Sequence, residues 1–238
     1  MNEPFDWRRS DRRLYAAAAL LFPIIILIGF GPTYYLKFAF GDPPVPSLLV
    51  HAHGLAMTTW IALFITQVYL ISSKRIKVHQ KLGMFGVVLA VVIVIVGVMT
   101  GVASAARGGG VPGIPPLSFL VVPVGDVLVF AILFAGAIYY RKNARNHKRL
   151  MLLTVLNFLP PALGRFPVEF AHIPPFFWGI PDVLAIIFVI YDTWKNRKLN
   201  KVFLAGALIM IASHPLRLML SGTDTWLRFA AWLTSWVG

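Results

Sequence analysis

No cysteine occurs in the 238-residue chain. Disulfide scaffolds, thiolate metal centres, iron–sulfur clusters and cysteine nucleophiles are therefore excluded. Charge is scarce too: 13% of residues are charged, about half the ~25% of a soluble globular domain. Acidic residues are the rarest class, 9 against 22 Lys and Arg. What remains is apolar, 58% of residues, with a mean hydropathy of +0.75. A water-soluble fold of this size has no interior large enough to hide that much apolar side chain, which excludes a soluble enzyme.

A bilayer accommodates such a chain. A helix needs ~20 apolar residues to cross about 30 Å of hydrocarbon at 1.5 Å per residue. Seven stretches qualify, near residues 14–36, 47–72, 82–104, 117–140, 150–165, 178–194 and 200–220. Continuous apolar runs such as residues 87–98, without period-two alternation, specify helices rather than barrel strands. The expected fold is an all-α integral membrane bundle of one domain, residues 1–238. Asn157, Pro160 and Pro161 fall inside the fifth stretch and predict a kink or an unwound turn near its far end.

The basic residues orient the bundle. Arg8, Arg9, Arg12 and Arg13 precede the first span; Lys74, Arg75, Lys77 and Lys81 separate the second from the third. Arg141, Lys142, Arg145, Lys148 and Arg149 separate the fourth from the fifth, and Lys195, Arg197, Lys198 and Lys201 the sixth from the seventh. Only Lys37, Arg107, Arg165, Arg217 and Arg228 fall on the other side. Positively charged loops stay cytoplasmic, so the N-terminus is expected inside and the C-terminus outside. The net charge of +13 is then a topology signal and an attraction to anionic lipid at the cytoplasmic face, not a nucleic-acid footprint. The first apolar stretch reads as an uncleaved signal anchor. The outer connections carry turn formers: Pro43, Pro44 and Pro46, residues 108–116, then Pro174 and Pro175. In the tail, residues 223–238, Trp226, Phe229, Trp232 and Trp236 recur at helical spacing and predict a short interfacial helix on the outer leaflet.

Three cytoplasmic connections look alike: Val78-His79-Gln80-Lys81-Leu82, Asn146-His147-Lys148-Arg149-Leu150 and Leu199-Asn200-Lys201-Val202-Phe203. Three helical hairpins in tandem behind the first span would produce this pattern. Polar groups within spans are functional candidates because each costs free energy to place there. His51 and His53 stand near the outer end of the second span, Asp126 about 14 Å into the fourth at 1.5 Å per residue, Asp182 near the start of the sixth, and His214 with Arg217 in the outer part of the seventh. Arg165, Glu169 and His172 flank them. His51 and His53 point about 200° apart on a helix and cannot share an ion. His53, Trp60 and Gln67 form a stripe, and His214 and Arg217 share a face. Each also has a structural reading: His51 and Arg217 solvated at the interface, Asp126 in a helix–helix hydrogen bond or ion pair, His53 and His214 packed, His79 and His147 interfacial, Asp182 and Glu169 exposed.

The stretch His51-Ala52-His53-Gly54-Leu55, Gln67, the motif His79-Gln80-Lys81-Leu82-Gly83 and the run Asn146-His147-Lys148-Arg149-Leu150-Met151-Leu152-Leu153 resemble a family of bacterial multi-pass membrane proteins known only as a domain of unknown function. The resemblance covers residues 48–165 and implies the bacterial inner membrane. The chain also resembles, more distantly, the di-haem transmembrane cytochromes b that take electrons from ascorbate. In that family four helices each give one histidine. The resemblance implies haem b, with His79 and His147 as an inner pair and His53, or His51, as an outer ligand. The fourth span offers Asp126 and no histidine, so the outer haem either recruits His214 to complete its pair or is lost. An alternative is a membrane metal hydrolase, in which His53, Asp126 and His214 hold an ion such as zinc. Ser47-x-x-x-His51 resembles the seven-helix hydrolases that include ceramidases and adiponectin receptors, but the partner four residues after His214 is Leu218, which cannot ligate. A third possibility is a transport or binding protein without catalysis.

Overall fold

The computed structural model describes residues 9–41, 47–111, 113–171 and 173–237. Arg8, Pro43, Pro44, Pro46, Pro112 and His172 lie outside the described residues. The chain folds into helices only: α1 (Arg9–Phe30), followed by a π-helical turn (Gly31–Tyr35) and a 3-10 turn (Lys37–Ala39); α2 (Leu48–Ser72); α3 (Ile76–Ala106); α4 (Pro116–Phe119); α5 (Val121–Tyr139); α6 (Ala144–Leu156); α7 (Pro160–Leu163); α8 (Pro174–Phe177); α9 (Gly179–Asn196); α10 (Lys201–Leu220); and α11 (Asp224–Thr234). Six of the described segments are long and apolar enough to cross a membrane: Arg13–Tyr35, Leu48–Ser72, Ile76–Ala106, Pro116–Tyr139, Pro174–Asn196 and Lys201–Leu220.

The bundle is built for a lipid solvent. Leu20, Ile24 and Leu27 of α1, Val88, Val91 and Ile95 of α3, and Val183, Ile187 and Ile190 of α9 are exposed, while Asp126, Arg149, Asp192, His214 and Arg217 are buried. An apolar surface of this extent belongs against acyl chains, not water. The centre is aromatic: Trp60 meets Phe130 and Phe134 edge-on at 5.2 and 5.5 Å, and Phe130 packs on Phe158 at 4.6 Å.

The fifth stretch expected to span is not a continuous helix. α6 is 13 residues long, about 20 Å at 1.5 Å per residue. It ends before Pro160 and Pro161, which supply no N–H and disfavour helix in the residue ahead. Tight turns replace it, with Phe158 N donating to Val155 O at 3.1 Å and Leu159 N to Leu156 O at 3.1 Å. The break is tolerated because the segment is the most enclosed in the molecule: Leu152, Leu153, Val155, Leu156, Leu159, Ala162 and Leu163 are all buried in the core. It runs beside α1 in the same direction. The Lys148 ammonium lies 5.9 Å from the Tyr15 ring, and the Arg165 guanidinium 4.7 Å from that of Phe30. Between these two contacts the backbone of Ala162 lies directly against Gly29.

The three similar basic connections are three tight hairpins. Residues 73–75 join α2 to α3 through Lys74 at φ 60°. Residues 140–143 join α5 to α6, where the Asn143 side chain caps the helix by accepting from Asn146 N at 3.2 Å. Residues 197–200 join α9 to α10 through Arg197 at φ 53°, and the Asn200 side chain accepts from Phe203 N at 2.8 Å. Asn200 Nδ2 also donates to Asn146 Oδ1 at 2.8 Å, tying the second hairpin to the third. The tail forms the helix its aromatic spacing predicts. Thr223 caps α11, Trp226 Nε1 donates to Leu117 O at 2.8 Å, and Ala230 packs on Val102, Ala105 and Leu120.

Gly29 sets how closely α1 approaches the broken segment. A methyl group there overlaps the Ala162 backbone, which cannot rotate aside. Gly29→Ala gains at most ~1 kcal/mol of helix propensity and loses about 1–3 kcal/mol to overpacking. Thermal unfolding in detergent is expected to show a net fall, at about 2–4 °C per kcal/mol. Gly179→Ala, where nothing lies within 4 Å of the new carbon, should unfold like the parent protein.

Candidate functional site

Two polar centres occupy the bundle. The first lies where the α2–α3 and α5–α6 hairpins meet. His79 and His147 are each the fourth residue of their helix, α3 and α6. The shared register brings the imidazoles together, with ring centroids 6.3 Å apart and planes at 78°. Two imidazoles bound to opposite sides of one metal ion, at about 2.0–2.1 Å per metal–nitrogen bond, have centres about 6 Å apart. His147 Nδ1 lies 2.8 Å from the carbonyl oxygen of Ala137 in the last turn of α5. A carbonyl only accepts, so Nδ1 carries the proton and the lone pair of the neutral ring is on Nε2. The stripe residue Gln67 sits at the same centre, its Nε2 donating to the His79 carbonyl at 3.2 Å. His79 Nδ1 and Gln67 Oε1 are buried without a hydrogen-bond partner.

The second centre is a network at the end of the bundle away from the three hairpins. Arg217 on α10 forms a buried ion pair with Asp126 on α5 at 2.5 Å, and its second nitrogen donates to Ser213 Oγ at 3.1 Å. Gly125 makes this approach possible, because a side-chain carbon there would overlap the guanidinium. His214, three residues before Arg217 and on the same buried face, places Nδ1 3.0 Å from Asp182 on α9. Its ring lies flat on Trp178, with centroids 4.9 Å apart and planes at 8°. The Arg217 guanidinium lies 5.9 Å from the centre of the same indole. Asn157, in the turn where α6 breaks, donates to the Asp126 carbonyl at 2.8 Å.

A third buried pair closes the inner end of the broken segment. Arg149 on α6 meets Asp192 on α9 at 2.5 Å and also donates to the Arg145 carbonyl. Asn196 Nδ2 donates to Asp192 Oδ1 at 3.1 Å. Residues 149–157 are thus pinned by charge at one end and by an amide at the other.

The structure therefore joins some of the candidates and separates others. His79 and His147 are neighbours. His214 is engaged by Asp182 and Trp178, and no described ring contact or hydrogen bond joins it to His53. His53 is half-buried on α2 with Nδ1 unpartnered. His51 is exposed and shares a 3.3 Å hydrogen bond with Tyr34, whose ring occupies the space above Gly54. Asp126 turns to Arg217, and among the described residues no three His, Asp or Glu side chains converge as a metal site. Two surface expectations are corrected. Arg217 is 3% exposed instead of solvated, because Asp126 neutralises it inside the bundle. Asp182 is only 20% exposed at its side chain, because His214 holds it. Glu169 is exposed as expected. The role of Trp178 has no sequence signal. The Arg149–Asp192 pair does have one, an acid and a base at the hairpin end of their helices; Asp126, about 14 Å into its span, and Arg217, three residues from the end of its own, are matched only through the length of the arginine side chain.

No family model, curated protein or solved structure matches the chain. Its function has to be argued from these centres.

Removing one member of a buried ion pair leaves the other charge uncompensated, a loss of about 3–5 kcal/mol. Asp126→Ala is expected to lower stability in detergent by that order. The double variant Asp126→Leu with Arg217→Met should recover most of it, since an apolar pair of similar volume leaves no stranded charge. Thermal unfolding of the two variants beside the parent checks the coupling.

Proposed function

We propose that this is a b-type haem-binding redox protein of the bacterial inner membrane, and that His79 and His147 are the two axial ligands of one haem iron near the cytoplasmic face. The observation that carries the reading is the pairing of two imidazoles from equivalent helical positions at 6.3 Å, one of them already held with Nε2 free. Neutral imidazoles from two helices are the donor set a haem iron takes in membrane bundles. A bound haem would supply one-electron ferric–ferrous chemistry. The chain's part is to hold the rings. Ala137 fixes the tautomer of His147, and α3 and α6 set the spacing. Lys77 and Lys81, two residues either side of His79 in sequence, would offer positive charge to the carboxylates of the cofactor. The reading uses one haem, because His53 and His214 have separate surroundings.

The same reading counts residues 144–163 as a seventh, interrupted crossing, supported by their course along α1 from Tyr15 to Phe30. It places the three basic hairpins in the cytoplasm, against anionic lipid, and α11 on the outer leaflet, where Phe229, Trp232 and Trp236 offer the aromatic face such a position takes.

Two measurements test this. Protein purified from haem-replete cells should show a Soret band that shifts on reduction. His79→Ala or His147→Ala should abolish it, whereas His53→Ala and His214→Ala should retain it. A colourless parent protein overturns the haem assignment. Separately, alkaline phosphatase fused after Gly238 should be active, and fused after Lys142 inactive; the reverse pattern overturns the orientation.

A further inference from the structure

The two histidines are held unequally by their neighbours. His147 has its Nδ1–H fixed by the Ala137 carbonyl. At the equivalent point on the other side, His79 Nδ1 is buried with no partner. The side-chain oxygen of Gln67 is a second buried orphan, on the residue whose amide nitrogen bonds the His79 carbonyl. The two are chemical complements, one a ring nitrogen able to carry a proton, the other an oxygen that only accepts. They are also linked through one residue. The amide of Gln67 is anchored to residue 79 through Nε2, which donates to the His79 carbonyl at 3.2 Å. The nitrogen and oxygen of one primary amide keep a fixed separation, so this anchor keeps Oε1 near the His79 backbone, from which a change of side-chain rotamer can bring it to the ring. Gly83, one turn further along α3, has no side chain to displace the amide; a carbon there would stand 3.8 Å from Gln67 Nε2.

We infer that Gln67 is the positioning residue of His79: its side-chain oxygen accepts the Nδ1–H of the imidazole, so that the proton stays on Nδ1 and the lone pair on Nε2. Gln67 then does for His79 what Ala137 does for His147. Each ring takes its orientation from the helix preceding its own, α2 for α3 and α5 for α6. The consequence for haem rests on the function proposed above; the tautomer itself does not. A neutral imidazole ligates through whichever nitrogen lacks the proton, and the partner of the other nitrogen decides which that is. The stripe His53, Trp60, Gln67 on α2 thereby acquires a role at its inner end that its outer histidine does not share.

The experiment uses the full chain, labelled with ¹⁵N-histidine, in lipid nanodiscs and free of haem. The ring nitrogens of His79, assigned by their loss in His79→Ala, report the tautomer directly. The parent protein should show His79 predominantly as the Nδ1–H form. Gln67→Leu, with Gln67→Met as the second variant in case the first folds poorly, should return His79 to a mixture of tautomers. His147, held by a backbone carbonyl, should stay unchanged and so report an intact fold. Gln67→Glu, which keeps an acceptor but loses the Nε2 anchor to the His79 carbonyl, should show more of the Nδ1–H form than either apolar variant. An unchanged His79 signal in both apolar variants overturns the inference, whether or not the protein binds haem. With haem bound, the apolar variants should weaken affinity about 10–100-fold, and Gln67→Glu should lower the reduction potential. A parent protein that binds no haem but shows the tautomer switch removes the haem reading and leaves Gln67 in its place.

Discussion

A charge inside hydrocarbon must meet its opposite, and this requirement organises the molecule. Asp126 with Arg217 and Arg149 with Asp192 are buried ion pairs between helices far apart in sequence. Lipid-facing helices gain little from hydrophobic association, because acyl chains are as apolar as leucine. The pairs therefore carry much of the specificity of the bundle. They decide that α10 lies against α5 at the end away from the three hairpins and that α9 lies against α6 at the hairpin end. Slipping either contact by one residue turns a charge toward lipid or toward an apolar neighbour, at a cost of several kcal/mol.

The interrupted segment depends on those pairs. A broken helix exposes backbone groups that lipid cannot satisfy, so it survives only when protein surrounds it. Arg149 holds its start and Asn157 holds the break, the latter on the carbonyl of the same Asp126 that pairs with Arg217. The outer network is in this sense a continuation of the break. One helix stops, and the amide at its end joins a chain of contacts running through Asp126 and Arg217 to Trp178, His214 and Asp182.

Much of the fold is legible in the sequence because lipid imposes a simple rule on composition. Six apolar runs of sufficient length are six helices, the Pro pair at 160–161 marks the break, and the aromatic tail is helical. The span at 150–165 was legible only as a position. Its leucines look like a lipid-facing run, and hydropathy does not distinguish acyl chains from other helices as their neighbours. The site divides in the same way. His79 and His147 are visible because they repeat in similar motifs, and His214 with Arg217 because they are three residues apart. Trp178 is not, since an indole at the head of an outer helix looks like an interfacial anchor until His214 is found lying on it. Burial of Arg217 depends on Gly125 having no side chain, a condition set on another helix and invisible along α10 itself.

The hairpin repeat separates what topology requires from what the histidines add. All three hairpins are basic, as loops retained on one side of a membrane are. The fourth residue of α3 is His79 and that of α6 is His147, but that of α10 is Leu204. If imidazole served only to decorate the interface, the third hairpin would accommodate one equally well. It carries instead Asn200, which spends its side chain on capping α10 and on Asn146 of the second hairpin. Imidazoles stand on the two hairpins whose helices bring their fourth residues together, and each hairpin takes a polar contact from the preceding helix, the Gln67 amide on the His79 carbonyl and the Ala137 carbonyl at His147 Nδ1. Capping and charge balance call for neither ring.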